Sequence, residues 1–310
     1  MAVSASPLPR RRSNTVGRAP RFDREWLLFA AFVGPNLAIL ALFSYWPLVQ
    51  NVGLSFVEWD MIAPEKRFVG LDNWIAVLTD GRFWQIGLTT VLFTLSSVGF
   101  TLGIGLCLAL LLNQPLVGRN GARTVLFIPT VLSGAAVAVV WDFIFDPNWG
   151  LIRTFLAAVG VASPHWLVDV HWAMPAVVIV YVWKNVGYCA VIYLAGLQSI
   201  PKELYEAARV DGAGAWSRFR AVTFPGLGPI SFFLLVTTVL LSFQAFDIIN
   251  VMTAGGPIIA TTTLLYEYFN QGFVGFHAGT AAVYGVLLFL LMVVLTLVQT
   301  SYVERRVTYS

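Results

Sequence analysis

Charged residues are scarce in this chain. Only 11% of its 310 residues are Asp, Glu, Lys or Arg, whereas 58% are hydrophobic. A soluble domain carries about 25% charged residues, so this chain has too little polar surface to face water on all sides. The shortage excludes an ordinary soluble domain and predicts an all-α integral membrane protein that crosses the bilayer several times.

Cysteine is almost absent, and the two cysteines, Cys107 and Cys189, both lie within apolar runs. Free cysteines in such settings behave as small hydrophobic side chains, so we expect two buried thiols and no disulfide framework. The net charge is only +3, which gives no indication of a nucleic-acid partner.

Lysine occurs three times, as Lys66, Lys184 and Lys202, and these follow Glu, Trp and Pro. A P-loop needs a Gly-Lys pair followed by Ser or Thr, because that lysine reaches the phosphates. The sequence lacks this motif, so the chain is not expected to hydrolyse ATP. It also lacks a fixed-period repeat and a soluble domain, which predicts one integral domain.

Six apolar runs are long enough to cross the hydrocarbon core, which takes about 20 residues of helix. They are residues 26–53, 83–112, 124–145, 172–197, 229–251 and 278–303. The first run follows a basic segment, residues 1–25, and is too long for the core of a signal peptide. We therefore expect six membrane helices over residues 26–303, with tails at 1–25 and 304–310.

The distribution of basic residues predicts the orientation. With the N-terminus inside, inner segments carry 14 of the 19 Lys and Arg residues, outer segments carry 4, and Lys184 lies within a span. Cytoplasmic loops are enriched in Lys and Arg. Both tails and the loop at 198–228 are therefore predicted to face the cytoplasm.

The loop at 198–228 has the residues of a helix–turn–helix elbow. Pro201 suits the first position of a helix, Gly212 and Gly214 suit its end or a bend, and Pro225 is expected to end a second short helix. Two interpretations fit this pattern. The elbow docks into a groove on a cytosolic partner, or it is only an amphipathic helix lying at the membrane surface.

Lys184 is the most informative residue within a span. It lies near the middle of the run 172–197, about 20 Å from either end at 1.5 Å per residue, which is too deep for its side chain to reach the interface. A charge at that depth costs several kcal/mol unless it meets a partner or water. We expect Lys184 to face a polar pathway through the bundle or the interface with a partner subunit, with Trp183, Asn185 and Tyr188 around it; the alternative is a structural ion pair within the bundle.

A second polar group ends the fifth span, where Gln244, Asp247 and Asn250 recur at intervals of three. The spacing favours one helix face, so these side chains either contact the solute or form a hydrated helix end. Asp142 and Asp146 lie four apart near the end of the third span. They lack a third ligand nearby, so no metal site is expected.

Two other classes of membrane protein would leave different patterns in the sequence. An ion-coupled secondary transporter would show internal repeats and carboxylates deep in the spans. An intramembrane enzyme would show a clustered nucleophile or metal set. The sequence offers one deep lysine and neither of those patterns, so no catalytic residue is assigned.

The stretch "EAARVDGAGAWSRFRAVTFP" resembles the cytoplasmic signature of ABC importer permeases. That pattern is Glu-Ala-Ala, three residues, Gly, nine residues, an aliphatic residue, any residue, Leu and Pro. The positions that match are Glu206, Ala207, Ala208, Gly212, Val222 and Pro225. Phe224 stands where Leu is usual, a change from one apolar residue to another. Segments including "FVGLDNW" and "AGGPIIATTTLLYE" are similar to the carbohydrate-uptake subfamily, and within it to glycerol-3-phosphate permeases.

This resemblance implies a type I ABC importer permease fold in the bacterial inner membrane, with both termini inside. It implies that the elbow couples the spans to an ATPase, through Glu206, Ala207, Ala208, Arg209, Asp211, Gly212 and Pro225. The implied partners are a second, homologous permease, two copies of an ATPase that bind ATP and Mg²⁺, and an extracytoplasmic solute-binding protein. The implied solute is glycerol-3-phosphate or a glycerophosphodiester such as glycerophosphocholine; the alternative is a saccharide of the maltose or trehalose type.

Overall fold

The computed structural model describes residues 22–115 and 117–303. Nearly all of the predicted basic tail, up to position 21, and the whole predicted tail at 304–310 lie outside the described residues. The chain divides into two compact units, residues 1–50 and 51–310.

The described part of the first unit is one helical run. Helix α1 (Phe22–Leu40) continues through a π-helical turn (Ala41–Tyr45) into helix α2 (Trp46–Leu54), which extends into the second unit. Helix α1 begins four residues before the predicted start of the first span, so the described end of the predicted tail is already helical.

The second unit is almost entirely helical. A two-stranded antiparallel ribbon pairs β1 (Val57–Glu58) with β2 (Arg67–Phe68). The helices that follow α2 are α3 (Asp72–Thr79), α4 (Gly81–Leu112), α5 (Arg119–Val131), α6 (Gly134–Phe145), α7 (Leu151–Ala158), α8 (Val170–Ser199), α9 (Lys202–Val210), α10 (Ala215–Arg218), α11 (Phe224–Gly226), α12 (Gly228–Phe243), α13 (Asp247–Met252), α14 (Leu264–Phe269) and α15 (Ala278–Val303). Two further π-helical turns cover Phe219–Thr223 and Asn270–Val274.

Five helical segments among the described residues are long and apolar enough to cross a membrane. They are Trp26–Leu54, Gly81–Leu112, Val170–Ser199, Gly228–Met252 and Ala278–Ser301. A sixth crossing arises if α5 and α6 are counted together. Six crossings were predicted, and these segments confirm the class of fold.

The prediction of one continuous third span over 124–145 was wrong. Helices α5 and α6 meet at an angle of 103°, because Leu132 and Ser133 both take extended backbone conformations. Pro129 lies in the last turn of α5 and has no backbone N–H to hold that turn together. Hydropathy identified a crossing there, but it carries no information about a bend within it.

Helix α8 is the centre of the second unit. In its most apolar window 61% of the residues are buried, against 33% in α4. Backbones approach closely around it: a Cβ added at Gly187 would collide with the carbonyl oxygen of Leu126 on α5. Small residues permit such contacts between membrane helices.

The expectation of two buried thiols was half wrong. Cys189 on α8 is buried, but Cys107 on α4 is exposed, and both thiols are free. Gly105 is the residue of α4 that packs against Cys189. Cys107 lies two positions further on, which turns it to the opposite side of α4.

We expect Gly187→Ala to destabilise the protein by about 1–3 kcal/mol, because the added methyl group meets a backbone carbonyl that cannot move independently of α5. The matched control is Gly99→Ala on α4, where nothing lies within 4 Å of an added Cβ. The thermal unfolding midpoint of the purified protein should fall for Gly187→Ala only. Equal midpoints for the two variants would contradict the close α5–α8 contact.

Candidate functional site

The break between α5 and α6 leaves helix ends inside the bundle. The last carbonyl groups of a helix have no partner within it, and Thr130 carries one of these at the end of α5. The Nζ of Lys184 donates a hydrogen bond to the Thr130 carbonyl oxygen at 3.3 Å. The Thr130 hydroxyl donates in return to the carbonyl oxygen of Lys184 at 3.1 Å. The lysine therefore places its positive charge at the negative end of the α5 dipole.

The other side of the break presents the N-terminus of α6. A Cβ added at Gly134, the first residue of α6, would lie 3.0 Å from Oδ2 of Asp247. The carboxylate thus lies beside the positive end of the α6 dipole, where negative charge is favoured. The broken span therefore holds two opposite charges, each at the helix end that suits it.

Lys184 and Asp247 line one cavity of about 200 Å³. Three other lining residues carry polar side chains: Tyr181, Asn185 and Gln244. Gly134, the first residue of α6, also lines the cavity. No carboxylate lies within 4.0 Å of Lys184 among the described residues. The cavity thus combines a cation paired only to a neutral carbonyl with an amide and a carboxylate on the facing segment.

Four of the predicted pathway residues meet in this cavity, and three do not. Trp183 points away from it and packs edge to face on Trp141, with ring centroids 5.5 Å apart. Tyr188 packs against the apolar cluster at the other end of α8. Asn250 is half-buried and does not line the cavity.

The single helix face predicted for Gln244, Asp247 and Asn250 was wrong. Helix α12 ends at Phe243, and α13 begins only at Asp247. Gln244 and Asp247 are both exposed to the cavity because the chain is unwound between them. The spacing of three residues in the sequence therefore does not correspond to one continuous helix.

The predicted elbow forms, and its turn is well defined. The N–H of Ala213 donates to the Ala208 carbonyl at 2.9 Å, and the N–H of Gly212 donates to the Arg209 carbonyl at 3.0 Å. Gly212 has φ of +74°, the left-handed conformation that this type of helix end requires. The end of α9 is therefore determined locally by one glycine.

The second half of the elbow differs from the prediction. Pro225 does not end a helix; it lies within the helical run that begins at Ala215, just after the π-helical turn Phe219–Thr223. Pro201 lies just before α9, as its N-cap. The elbow thus continues almost without interruption from Ala215 into α12, so a displacement of the elbow would be transmitted directly to that span.

The two faces of α9 have different surroundings. Lys202, Glu206 and Arg209 line a crevice of about 360 Å³ against the end of α4, closed on one side by a hydrogen bond of 3.1 Å between the hydroxyls of Tyr205 and Thr223. Val210, in the last turn of α9, does not line this crevice and is 88% exposed. Trp216 of α10 is also exposed and stacks on Phe219, with centroids 5.4 Å apart.

Sequence reasoning missed Glu267, which is fully buried in α14. Its Oε2 accepts from Arg82 at 3.2 Å and its Oε1 accepts from Gln271 at 2.7 Å. The segment "TTTLLYEYFNQGF" reads as an outer loop, so its carboxylate was not expected inside the fold. The available signal of a structured segment was Thr263, a residue type favoured at N-caps, which caps α14.

Two other carboxylates act as local caps. The backbone N–H groups of Trp149 and Asn148 hold the pKa of Asp146 below its ordinary value. The backbone N–H of His171 does the same for the pKa of Asp169, which caps α8. The carboxylate of Asp146 is thus occupied by its own turn.

The described residues thus form an α-helical membrane bundle with a broken span and a short helical elbow. Residues 99–309 match the family described as "Binding-protein-dependent transport system inner membrane component". The chain belongs to that family, and it is a permease subunit of an ABC importer in the bacterial inner membrane. Such a subunit is not itself catalytic.

Relatives match almost the whole chain. The sn-glycerol-3-phosphate transport system permease protein UgpA of Yersinia pestis bv. Antiqua (strain Antiqua) is 39% identical over 94% of this chain and 98% of its own. The UgpA protein of Escherichia coli O157:H7 is 37% identical over the same shares.

Solved structures share the fold. A bacterial ABC transporter involved in import of the acidic polysaccharide alginate aligns with a TM-score of 0.78 at 24% identity, covering 91% of this chain and 96% of that one. A bacterial alginate ABC transporter in complex with alginate pentasaccharide-bound periplasmic protein aligns with a TM-score of 0.79 at 23% identity, covering 92% of this chain and 96% of that one. At this level of identity the likeness establishes the fold alone.

We expect Arg82→Gln to destabilise the protein by about 1–3 kcal/mol, because it leaves the buried Glu267 carboxylate without its cation. The matched control is Arg67→Gln, whose partner Glu58 is exposed, as is Arg67 itself. Exposed pairs contribute about 0–1 kcal/mol. Thermal unfolding of both purified variants checks this, and an equal loss of stability would contradict it.

Proposed function

We propose that this permease carries glycerol-3-phosphate, or a glycerophosphodiester such as glycerophosphocholine, with Lys184 contacting the phosphate. The observation that carries the proposal is the mid-span ammonium group of Lys184 in a polar cavity. The names of the UgpA relatives support the same class of solute.

The ammonium of Lys184 favours an anion beside it. Among the described residues it bonds to a neutral carbonyl and to no carboxylate, and an ammonium acts as a point charge for phosphate. In a site with little water that attraction is much stronger than in bulk solvent. The glycerol hydroxyls can donate to Asp247 and exchange hydrogen bonds with the amides of Asn185 and Gln244.

Energy for transport comes from outside this chain. The sequence has no P-loop, so a separate ATPase supplies the energy. Two copies of that ATPase bind ATP and Mg²⁺ and hydrolyse the nucleotide. A second, homologous permease completes the pathway, and an extracytoplasmic solute-binding protein delivers the solute. The elbow of α9 and α10 lies on the cytoplasmic side, with both termini, and docks on one ATPase.

The two faces of the elbow suggest a division of roles. Exposed Ala207, Val210 and Trp216 offer a compact apolar surface that suits a groove on the ATPase. Glu206 and Arg209 line the crevice against α4 and can hold the elbow at a set distance from the bundle. Closure of the ATPase pair would then move α9 to α12 together.

We expect Lys184→Gln to lower the maximal rate of glycerol-3-phosphate uptake about 10- to 100-fold, which corresponds to the loss of one hydrogen bond to a charged group. The assay uses the whole importer in vesicles, with ATP and the binding protein. Lys66→Gln is the matched control, since Lys66 lies over Trp59 in the loop after β1. Lys184→Arg, which keeps the charge, should lose less than Lys184→Gln.

Three results of these uptake measurements would contradict different parts of the proposal. Unchanged uptake by Lys184→Gln would remove Lys184 from the pathway. Uptake of a disaccharide but no phosphate ester by the wild type would favour the saccharide alternative. Uptake driven by an ion gradient without ATP would make the protein a secondary transporter.

We expect Gly212→Ala to weaken retention of the ATPase several-fold, because an L-residue in the left-handed conformation costs roughly 1–2 kcal/mol and loosens the end of α9. Gly214→Ala is the matched control, since Gly214 has φ of −66° and nothing lies within 4 Å of an added Cβ. The amount of ATPase that co-purifies measures the effect. Equal retention by both variants would argue that the elbow does not dock.

A further inference from the structure

Arg123 carries donors that no described residue satisfies. Its Nε and Nη2 atoms are shielded from solvent and make no hydrogen bond. A buried donor without an acceptor costs free energy, and more so when the group is charged. A guanidinium stays protonated in proteins, so it cannot relieve this cost by losing its proton. Such a group calls for an anion that arrives from elsewhere.

Arg123 is one of the residues that line an open, largely apolar groove of about 550 Å³. Phe127 and Val131 of α5 form one wall, and Val191 of α8 contributes to the other.

The groove lies on the same side of the α5–α8 contact as the Lys184 cavity. These helices run antiparallel, since Leu126 meets Gly187 and Thr130 meets Lys184. Val191 follows Lys184 by seven residues, or about two turns, and therefore shares its face of α8. Arg123 precedes Thr130 by seven residues, which places it about 10 Å further along α5, away from the break.

We propose that Arg123 is a second anion-binding position in the same pathway, which receives the phosphate group after it leaves Lys184. The inference rests on the proposed function, because it takes the solute to be a phosphate ester. In the predicted orientation Arg123 lies on the cytoplasmic side of Lys184. Two cations about 10 Å apart along one wall allow the phosphate to move inwards without ever losing a charged partner.

The planar guanidinium suits this position. It pairs with two phosphate oxygens at once, whereas the ammonium of Lys184 acts as a point charge. The apolar walls offer few hydrogen bonds to the glycerol portion of the solute. Binding at Arg123 is therefore brief, as an exit position requires.

The test measures ATP-driven uptake of glycerol-3-phosphate by the whole importer in vesicles. We expect Arg123→Gln to lower the maximal rate about tenfold and to leave KM unchanged, since capture by the binding protein precedes this step. Arg123→Lys, which keeps the charge, should restore at least a third of the wild-type rate. Lys184→Gln is measured in parallel.

The outcomes separate this inference from the proposed function. If the wild type imports no phosphate ester, the proposed function fails and this inference falls with it. If Lys184→Gln is slow but Arg123→Gln matches the wild type, only this inference fails. Equal losses in Arg123→Gln and Arg123→Lys would mean a structural role and would also overturn it.

Two other occupants of the groove are tested with the same variants. If the wild-type rate requires phosphatidylglycerol in phosphatidylcholine vesicles, and Arg123→Gln abolishes that requirement, the groove binds a lipid headgroup. If Arg123→Gln loses the second permease during purification, the guanidinium pairs with that subunit. Either result overturns the proposal.

Discussion

The break in the third crossing is the constraint on which the polar interior depends. A continuous helix would satisfy the carbonyl of Thr130 and leave Lys184 without its neutral partner. It would also remove the N-terminus of α6 that faces Asp247. Because opposite helix ends meet at the bend, one cation and one carboxylate can occupy the same small cavity without pairing to each other.

The shape of the elbow, unlike that of the cavity, is determined locally, within about a dozen consecutive residues. A left-handed glycine and two backbone hydrogen bonds end α9, and the following helix continues into α12 with little interruption. A short rigid element joined directly to a span can transmit a push. Helix α12 thus connects the elbow to the cavity. It begins where the elbow ends, and the residue that follows it, Gln244, lines the cavity.

The buried Arg82–Glu267 pair shows how the segment after α13 is held. Glu267 is fully buried, and Arg82 comes from the first turn of α4. This pair joins α14 to a span more than 180 positions earlier in the chain. A carboxylate in that setting is a structural anchor of the bundle, and it does not carry the signature of ion coupling, because its charge is already compensated.

Local sequence alone determined the membrane class, five of the six crossings and the elbow, because hydropathy, glycine and proline act over a few residues. The spacing of the Glu-Ala-Ala signature likewise identified the family before any contact was known. Only the tertiary structure decided that the third crossing bends, that Gln244 and Asp247 reach the cavity from unwound chain, and that Glu267 is buried. Those features depend on which helix ends and side chains come into contact across the bundle. Contacts between residues far apart in the chain produce no periodic pattern in the sequence.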